Sequence, residues 1–206
     1  MKTVFFFASL FLLGNLTSFA QKTALPEVSF SKIPTNTDEF LNLRNELAKS
    51  PEGGAAVFVV AMLVYAQYPA LGRQCLVIAS DKSLLRASSN SGYKGFDFGN
   101  NSDYLIKQMD NKKYLPKSYI QGTSVTNTYA LGKPPYRIRC FTNPYSGKAE
   151  DGQIKVFVNC TGASSDRPIT LVRNEQGVWK AKEFSSLVVG VQAPKQKSQG
   201  AAEGDF

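Results

Sequence analysis

The chain contains no histidine. That absence excludes Ser-His and Cys-His catalysis, His-ligated zinc and His-held haem, and removes the commonest general base near neutral pH. Cysteine is scarce too: Cys75, Cys140 and Cys160 are the only three, scattered and without a C-x-x-C pair, so no metal site is expected. Charged residues make up only 19% of the 206, against 43% hydrophobic ones. That balance describes a folded chain with a core sufficient for one domain, or at most two small ones. Acids are the minority charge: Lys+Arg 24 against Asp+Glu 16 gives a net +8, which makes a polyanion or an anionic surface a partner to consider. Gly53-Gly54 and Gly92-Tyr93-Lys94-Gly95 form neither a phosphate-binding loop nor a dinucleotide fingerprint, so no cofactor is expected.

Apolar residues are concentrated first at the start of the chain. Lys2 precedes a run from Val4 to Leu16, followed by Thr17, Ser18, Phe19 and Ala20. A positive start, an apolar run and small residues at Ser18 and Ala20 predict a secretory signal peptide over 1–20, cleaved before Gln21. The run is shorter than the roughly 20 residues of a membrane span, and Asn15 interrupts it. Cleavage removes Lys2 and no acid, leaving +7. A secreted or periplasmic protein without a transmembrane span is therefore expected, and nucleic acid is not an expected partner.

Residues 21–36, with Pro26 and Pro34, read as an extended leader. Asn36 or Thr37 caps a helix whose first turn carries Asp38 and Glu39 and whose buried stripe is Phe40, Leu43 and Leu47. Ser50-Pro51-Glu52 is a second start signal. From Ala55 to Ala66 every residue is apolar or Tyr, which predicts a central helix buried all round. Pro69 opens a third helix, although Cys75 to Ala79 fits a buried strand equally well. Residues 87–101 have loop composition, and Asn101 or Ser102 caps a short helix beyond them. From Tyr136 the period changes to two. Ile138, Cys140 and Thr142 alternate with Arg137, Arg139 and Phe141; Ile154, Val156, Val158 and Cys160 alternate with Lys155, Phe157 and Asn159. Strands over Ile169 to Arg173 and Val178 to Val191 complete an antiparallel meander. Helices first and strands later give an α+β domain over 37–192, with the N-terminal helices on one face of the sheet. The tail 193–206 is expected to be disordered.

Seven runs stand out: Pro51-Glu52-Gly53-Gly54-Ala55-Ala56-Val57-Phe58-Val59, Leu63-Val64-Tyr65-Ala66, Gly92-Tyr93-Lys94-Gly95, Gln121-Gly122-Thr123-Ser124, Asn143-Pro144-Tyr145-Ser146-Gly147, Gly177-Val178-Trp179-Lys180-Ala181 and Ser185-Ser186-Leu187-Val188-Val189-Gly190-Val191. Together they resemble a bacterial family of exported or envelope proteins, a domain of unknown function. The resemblance spans about residues 40–192, implies one coherent unit, and brings no activity with it. In topology alone, the helix-then-meander order also looks like the cone-shaped fold of nuclear transport factor 2 relatives.

Cys140 and Cys160 share the face of Ile138, Val156 and Val158 on adjacent strands, and a hairpin centred near Glu150 would place them opposite each other. The other reading from the residues is three buried thiols. The family resemblance implies a different pair, Cys75 with Cys160. Ser29-Phe30-Ser31-Lys32 fits S-x-x-K but lies in the leader, without the companion motifs of that enzyme class. The basic residues give the better lead. Alternation turns Arg137, Arg139 and Lys155 away from the helices, and Lys180 and Lys182 join that face or its edge. A second basic-aromatic stretch holds Tyr104, Lys107, Lys112, Lys113, Tyr114, Lys117 and Tyr119. Two functions follow. One is a non-catalytic binding or scaffolding module of the cell envelope that contacts an anionic glycan, lipopolysaccharide or an envelope protein. The other is a histidine-free hydrolase or transferase with a carboxylate, Lys or Cys in a helix–sheet cleft. The intact mass of the exported protein checks the first step: the mature chain should begin at Gln21, and a chain starting elsewhere refutes cleavage after Ala20.

Overall fold

The helical half is laid down by its caps. In the computed structural model, which describes residues 21–195, Asn36 is extended and its side chain accepts the Glu39 N–H at 2.9 Å, opening helix α1 (Thr37–Leu47). Ser50 does the same for the Gly53 N–H, with Pro51 in the first turn, and opens helix α2 (Pro51–Gln67). Every residue of α2 from Gly53 to Ala66 is buried. Helix α3 (Pro69–Ala79) follows after a single residue, so Cys75 to Ala79 are helical. Two glycines let neighbours approach α2. A Cβ on Gly54 would lie 2.6 Å from the Trp179 Cβ, and one on Gly72 would lie 2.0 Å from the Tyr65 Cα. Larger residues at either position would force the packed elements apart.

The strands are β1 (Thr23–Ala24), β2 (Val28–Phe30), β3 (Leu85–Ala87), β4 (Phe96–Phe98), β5 (Tyr136–Ile138), β6 (Cys140–Thr142), β7 (Gln153–Val158), β8 (Arg167–Arg173) and β9 (Trp179–Glu183), with a short helix α4 (Asn100–Lys107) after β4. The main sheet has the order β1-β6-β7-β8-β9, all antiparallel. β2 pairs with β5, and β3 with β4. The architecture is α+β, with the helices packed on the inner face of the meander. Phe58, Val59, Met62 and Leu63 of α2 share one core with Ile138, Val156, Val158, Ile169 and Leu171, each at most 1% exposed. Trp179 faces the helices over Gly54, on the face opposite Lys180.

Several boundaries differ from the sequence reading. The leader is extended, but it belongs to the domain. Val28 and Phe30 are buried, and the segment runs antiparallel to Tyr136–Thr142, with the Leu25 N–H donating to the Cys140 carbonyl at 3.0 Å. The loop-like stretch 87–101 contains the β3–β4 hairpin, turned by Gly92 and Gly95, both at φ +79. α4 starts at Asn100 with Gly99 before it, and Ser102, an expected cap, is instead buried inside the helix. The last strand stops at Glu183. Phe184 leaves the extended region at φ −141, ψ 6, and a 3-10 turn, Ser185–Val188, carries Leu187 and Val188 into the core. The export segment 1–20 and residues 196–206 of the tail lie outside the described residues; at 195 the backbone N–H still donates to the Val125 carbonyl at 3.2 Å.

Phe58 is fully buried with its ring 4.8 Å from that of Phe184. Phe58→Ala should cost about 3–5 kcal/mol in denaturant melts; a loss below about 1 kcal/mol would place the residue outside the core.

Candidate functional site

Strand β7 divides its residues cleanly. Ile154, Val156 and Val158 turn to the helices and are buried, while Gln153, Lys155 and Phe157 turn outward. Register carries the outer face across the sheet: Phe141 lies opposite Phe157 and Phe157 opposite Pro168, Lys155 opposite Thr170, and Gln153 opposite Val172. No residue of this outward set is buried. The result is an outward sheet face on which Phe141, Phe157, Pro168 and Val172 are half-buried.

Cations stand on and beside that face, and each is held differently. Arg139 donates from Nε to Glu27 Oε2 at 3.0 Å, and the Arg137 Nε lies 3.6 Å from Glu27 Oε1. Two arginines therefore share one carboxylate. Lys22 places its ammonium 5.6 Å from the centre of the Phe141 ring and donates to Asp166 Oδ2 at 2.7 Å. Lys182 donates to Gln153 Oε1 at 2.8 Å. Lys155 is exposed and has no ion pair among the described residues. Lys180 departs from the set. Its Nζ donates to the Ile78 carbonyl at 2.7 Å, in the last turn of α3, where a cation complements the helix dipole. Burial, reinforced by Arg44 and opposed by Asp81, pulls its pKa down to about 8.

The second basic-aromatic stretch does not form a surface. Tyr119 is fully buried and donates its hydroxyl to the Leu187 carbonyl at 2.7 Å; Tyr114 stacks on Tyr129 with centroids 5.6 Å apart; Lys107 pairs with Asp103 at 2.9 Å. Of its aromatics, Tyr104 alone is well exposed. The cysteine register is also corrected. Cys140 lies opposite Val158, not Cys160, and all three cysteines are free and buried. Neither the Cys140–Cys160 nor the Cys75–Cys160 bridge is present. Burial pushes the Cys75 and Cys140 thiols up to about 12, a poor setting for a thiolate nucleophile; Cys160 lies 3.3 Å from the Ser118 hydroxyl. In the S-x-x-K run, Lys32 donates to Glu39 at 2.6 Å. That bond and the Thr35 N–H hold the Glu39 carboxyl at about 2, and Lys32 is engaged as the ion-pair partner of that carboxylate.

Among the described residues no cluster of Cys, Asp and Glu has the make-up of a metal site, and no helix is long and apolar enough to cross a membrane. A family model described as Domain of unknown function (DUF6935) matches residues 32–195. The chain belongs to that family. No curated protein and no solved structure matches it. The matched span of this DUF6935 domain takes in all four helices and the strands from β3 to β9, with Arg137, Arg139, Lys155, Lys180 and Lys182 inside it. β1 and β2, with Lys22 and Glu27, precede it.

The outward phenylalanines were visible in the period-two pattern but carried no separate signal. A network of Arg73, Asp97 and Asp103 gave none at all, because the arginine's partners stand 24 and 30 residues away.

The Lys180 ammonium gives a pH test. Its folded pKa lies below the ordinary 10.5, so between about pH 8 and 10.5 the unfolded chain holds a proton that the folded chain has lost, and stability from this group rises with pH. Below that window the whole desolvation cost remains. Lys180→Met should therefore show its largest relative stability at pH 7, and its difference from the parent in urea melts should shift toward the parent by pH 10. A difference that does not change with pH would mean that the ammonium is solvated.

Proposed function

We propose that this protein is an exported, non-catalytic binding module of the bacterial cell envelope, which contacts anionic envelope material through the outer face of its sheet. The observation that carries the reading is the outward face itself, where Phe141 and Phe157 lie opposite each other with Lys22 against the Phe141 ring, Lys155 and Lys182 farther along the sheet, and Arg139 and Arg137 on the chain leading into β6. Half-buried apolar residues flanked by charge suit a contact surface. Export follows from the charge, apolar run and small residues of 1–20, and it places the face among anionic glycans and lipopolysaccharide.

The chemistry of such a face is additive. Neighbouring strands are about 5 Å apart, so the cationic fields overlap within a Debye length, and a positive net charge speeds encounter with a polyanion without a shaped pocket. Each exposed contact contributes about 0–1 kcal/mol, so affinity depends on several acting together and falls with salt. Aromatic faces add stacking against sugar rings or acyl chains.

Glu27 is the internal competitor for Arg137 and Arg139. Binding to purified lipopolysaccharide or an acidic polysaccharide should weaken in the triple variant Arg137→Gln, Arg139→Gln, Lys155→Gln, with the melting curve nearly unchanged. Glu27→Gln should strengthen it by up to about fivefold by freeing both guanidinium groups. Binding insensitive to the triple substitution and to salt would make the face a merely solvated surface.

A further inference from the structure

On the helical side of the molecule, α3 and the tip of the β3–β4 hairpin border a half-open cleft of about 560 Å³. Arg73, Gln74, Ser88, Ser89, Asn90 and Lys94 are among its lining residues. Arg73 is fixed from behind. Its Nε donates to both oxygens of Asp97 at 2.8 and 3.0 Å, and its Nη2 donates to Asp103 Oδ1 at 2.7 Å. Asp97 is 4% exposed and also accepts from the Ser91 hydroxyl and the Phe98 N–H. Burial alone would raise its carboxyl; the hydrogen bonds from Ser91, Arg73 and the Phe98 N–H outweigh that and hold it below its usual value. Neither aspartate lines the cleft. The two acids thus orient the guanidinium without offering a carboxylate to whatever enters.

Part of the donor set is spent within the hairpin, where the Ser88 and Ser91 hydroxyls lie 3.3 Å apart and the Ser89 hydroxyl donates to Asn90 Oδ1 at 3.0 Å; other donors remain. Arg73 Nη1 has no partner among the described residues, and it is not enclosed by protein. Gln74 accepts from the Thr37 hydroxyl through Oε1 at 3.0 Å, which leaves its amide N–H groups as donors. Lys94 makes no ion pair among the described residues; its ammonium lies 5.5 Å from the centre of the Tyr93 ring. It is held at φ +47 between Gly92 and Gly95, a left-handed backbone that a glycine would adopt at less cost. Strain of this kind at a lysine sets the side chain's position and is paid for by the surrounding structure.

The lining therefore offers two cations, three kinds of neutral donor or acceptor, and no carboxylate. Its volume suits a small organic molecule rather than a single ion. We propose that this cleft binds a sugar acid, a polyhydroxylated ring bearing a carboxylate. The carboxylate is drawn to the Arg73 and Lys94 cations, and the ring hydroxyls exchange hydrogen bonds with the serines, Asn90 and Gln74. The site is separate from the outer sheet face, and its failure would leave the envelope-binding reading untouched.

Isotope-labelled protein titrated with sodium glucuronate, glucose and inorganic phosphate, followed by amide shifts, tests it. Glucuronate should saturate shifts confined to residues 88–95 and the start of α3, with glucose and phosphate each weaker by about tenfold or more, since a charge-assisted hydrogen bond is lost in the first case and the hydroxyl contacts in the second. Lys94→Gly removes the cation and relaxes the left-handed backbone, so it should weaken glucuronate about tenfold without lowering the melting temperature. Lys94→Gln should repeat the loss. The proposal is overturned if glucuronate gives no saturable shift in 88–95, if glucose or phosphate binds equally well, or if both Lys94 variants keep the parent affinity.

Discussion

Helix α2 buries every residue from Gly53 to Ala66, so it has no side that water can solvate, and the remaining elements are arranged to enclose it. α1 and α3 pack along it and the meander closes the other side, with contacts to β6, β7, β8 and β9. This one requirement explains several local choices. Gly54 and Gly72 stand where a strand and a helix come within Cβ distance of α2. The Phe184 ring packs on Phe58, and the Phe98 ring meets Phe184 edge-on. The chain leaves β9 at Phe184 because that ring, with Leu187 and Val188, is needed to close the core end. Dispersion and apolar burial over so many fully enclosed residues outweigh the modest cost of glycine in a helix.

Much of this was legible because it is written in local patterns. The Asn36 and Ser50 caps, Pro51 at a first helical turn, the unbroken apolar run, and the period-two strands each reach only a few residues along the chain. The parts that were not legible depend on residues far apart. Val28 and Phe30 form a three-residue strand, too short for a period to show, and become an edge only when Tyr136–Ile138 is beside them. The β3–β4 hairpin reads as loop because its turn is built from serine, asparagine and glycine. The Cys140 register missed by two residues, since Cys160 lies beyond the end of β7 and the strand pairs through Val158 instead. Of the five basic residues assigned to one face, Arg137, Arg139, Lys155 and Lys182 are turned outward; Lys180 shares the alternation, but its long stem reaches around the sheet edge to α3.

Charge in this protein divides into what the fold consumes and what it leaves over. Lys32 is held by Glu39, Lys107 by Asp103, and Lys180 by a helix carbonyl. Arg73 is the most heavily used: it ties α3 to both β4 and α4, and its two aspartates are in turn kept ionised. Burial opposes ionisation at Asp97 and, after the bond from Lys107, at Asp103. Breaking such a part-buried pair strands a charge, which costs more than the pair itself contributes.

The residue of that division is what any function must draw on. With histidine absent, Cys75 and Cys140 buried and their thiols raised, and Lys32 and Lys180 held in place, the groups most suited to proton transfer are engaged in maintaining structure. Among the cations without an ion pair in the described residues are Lys155 on the outward sheet face and Lys94 beside the hairpin cleft; others, such as Lys82, Arg86, Lys113, Lys133 and Lys148, stand exposed elsewhere. The sheet face and the cleft both have positive groups beside neutral surface, aromatic in one and hydroxyl-rich in the other; Glu27 and Asp166 balance part of the charge at the sheet edge, and Asp97 and Asp103 balance Arg73 behind the hairpin cleft. An excess of positive charge is unfavourable for the folded state through self-repulsion, and an anionic partner at any of these surfaces would relieve it.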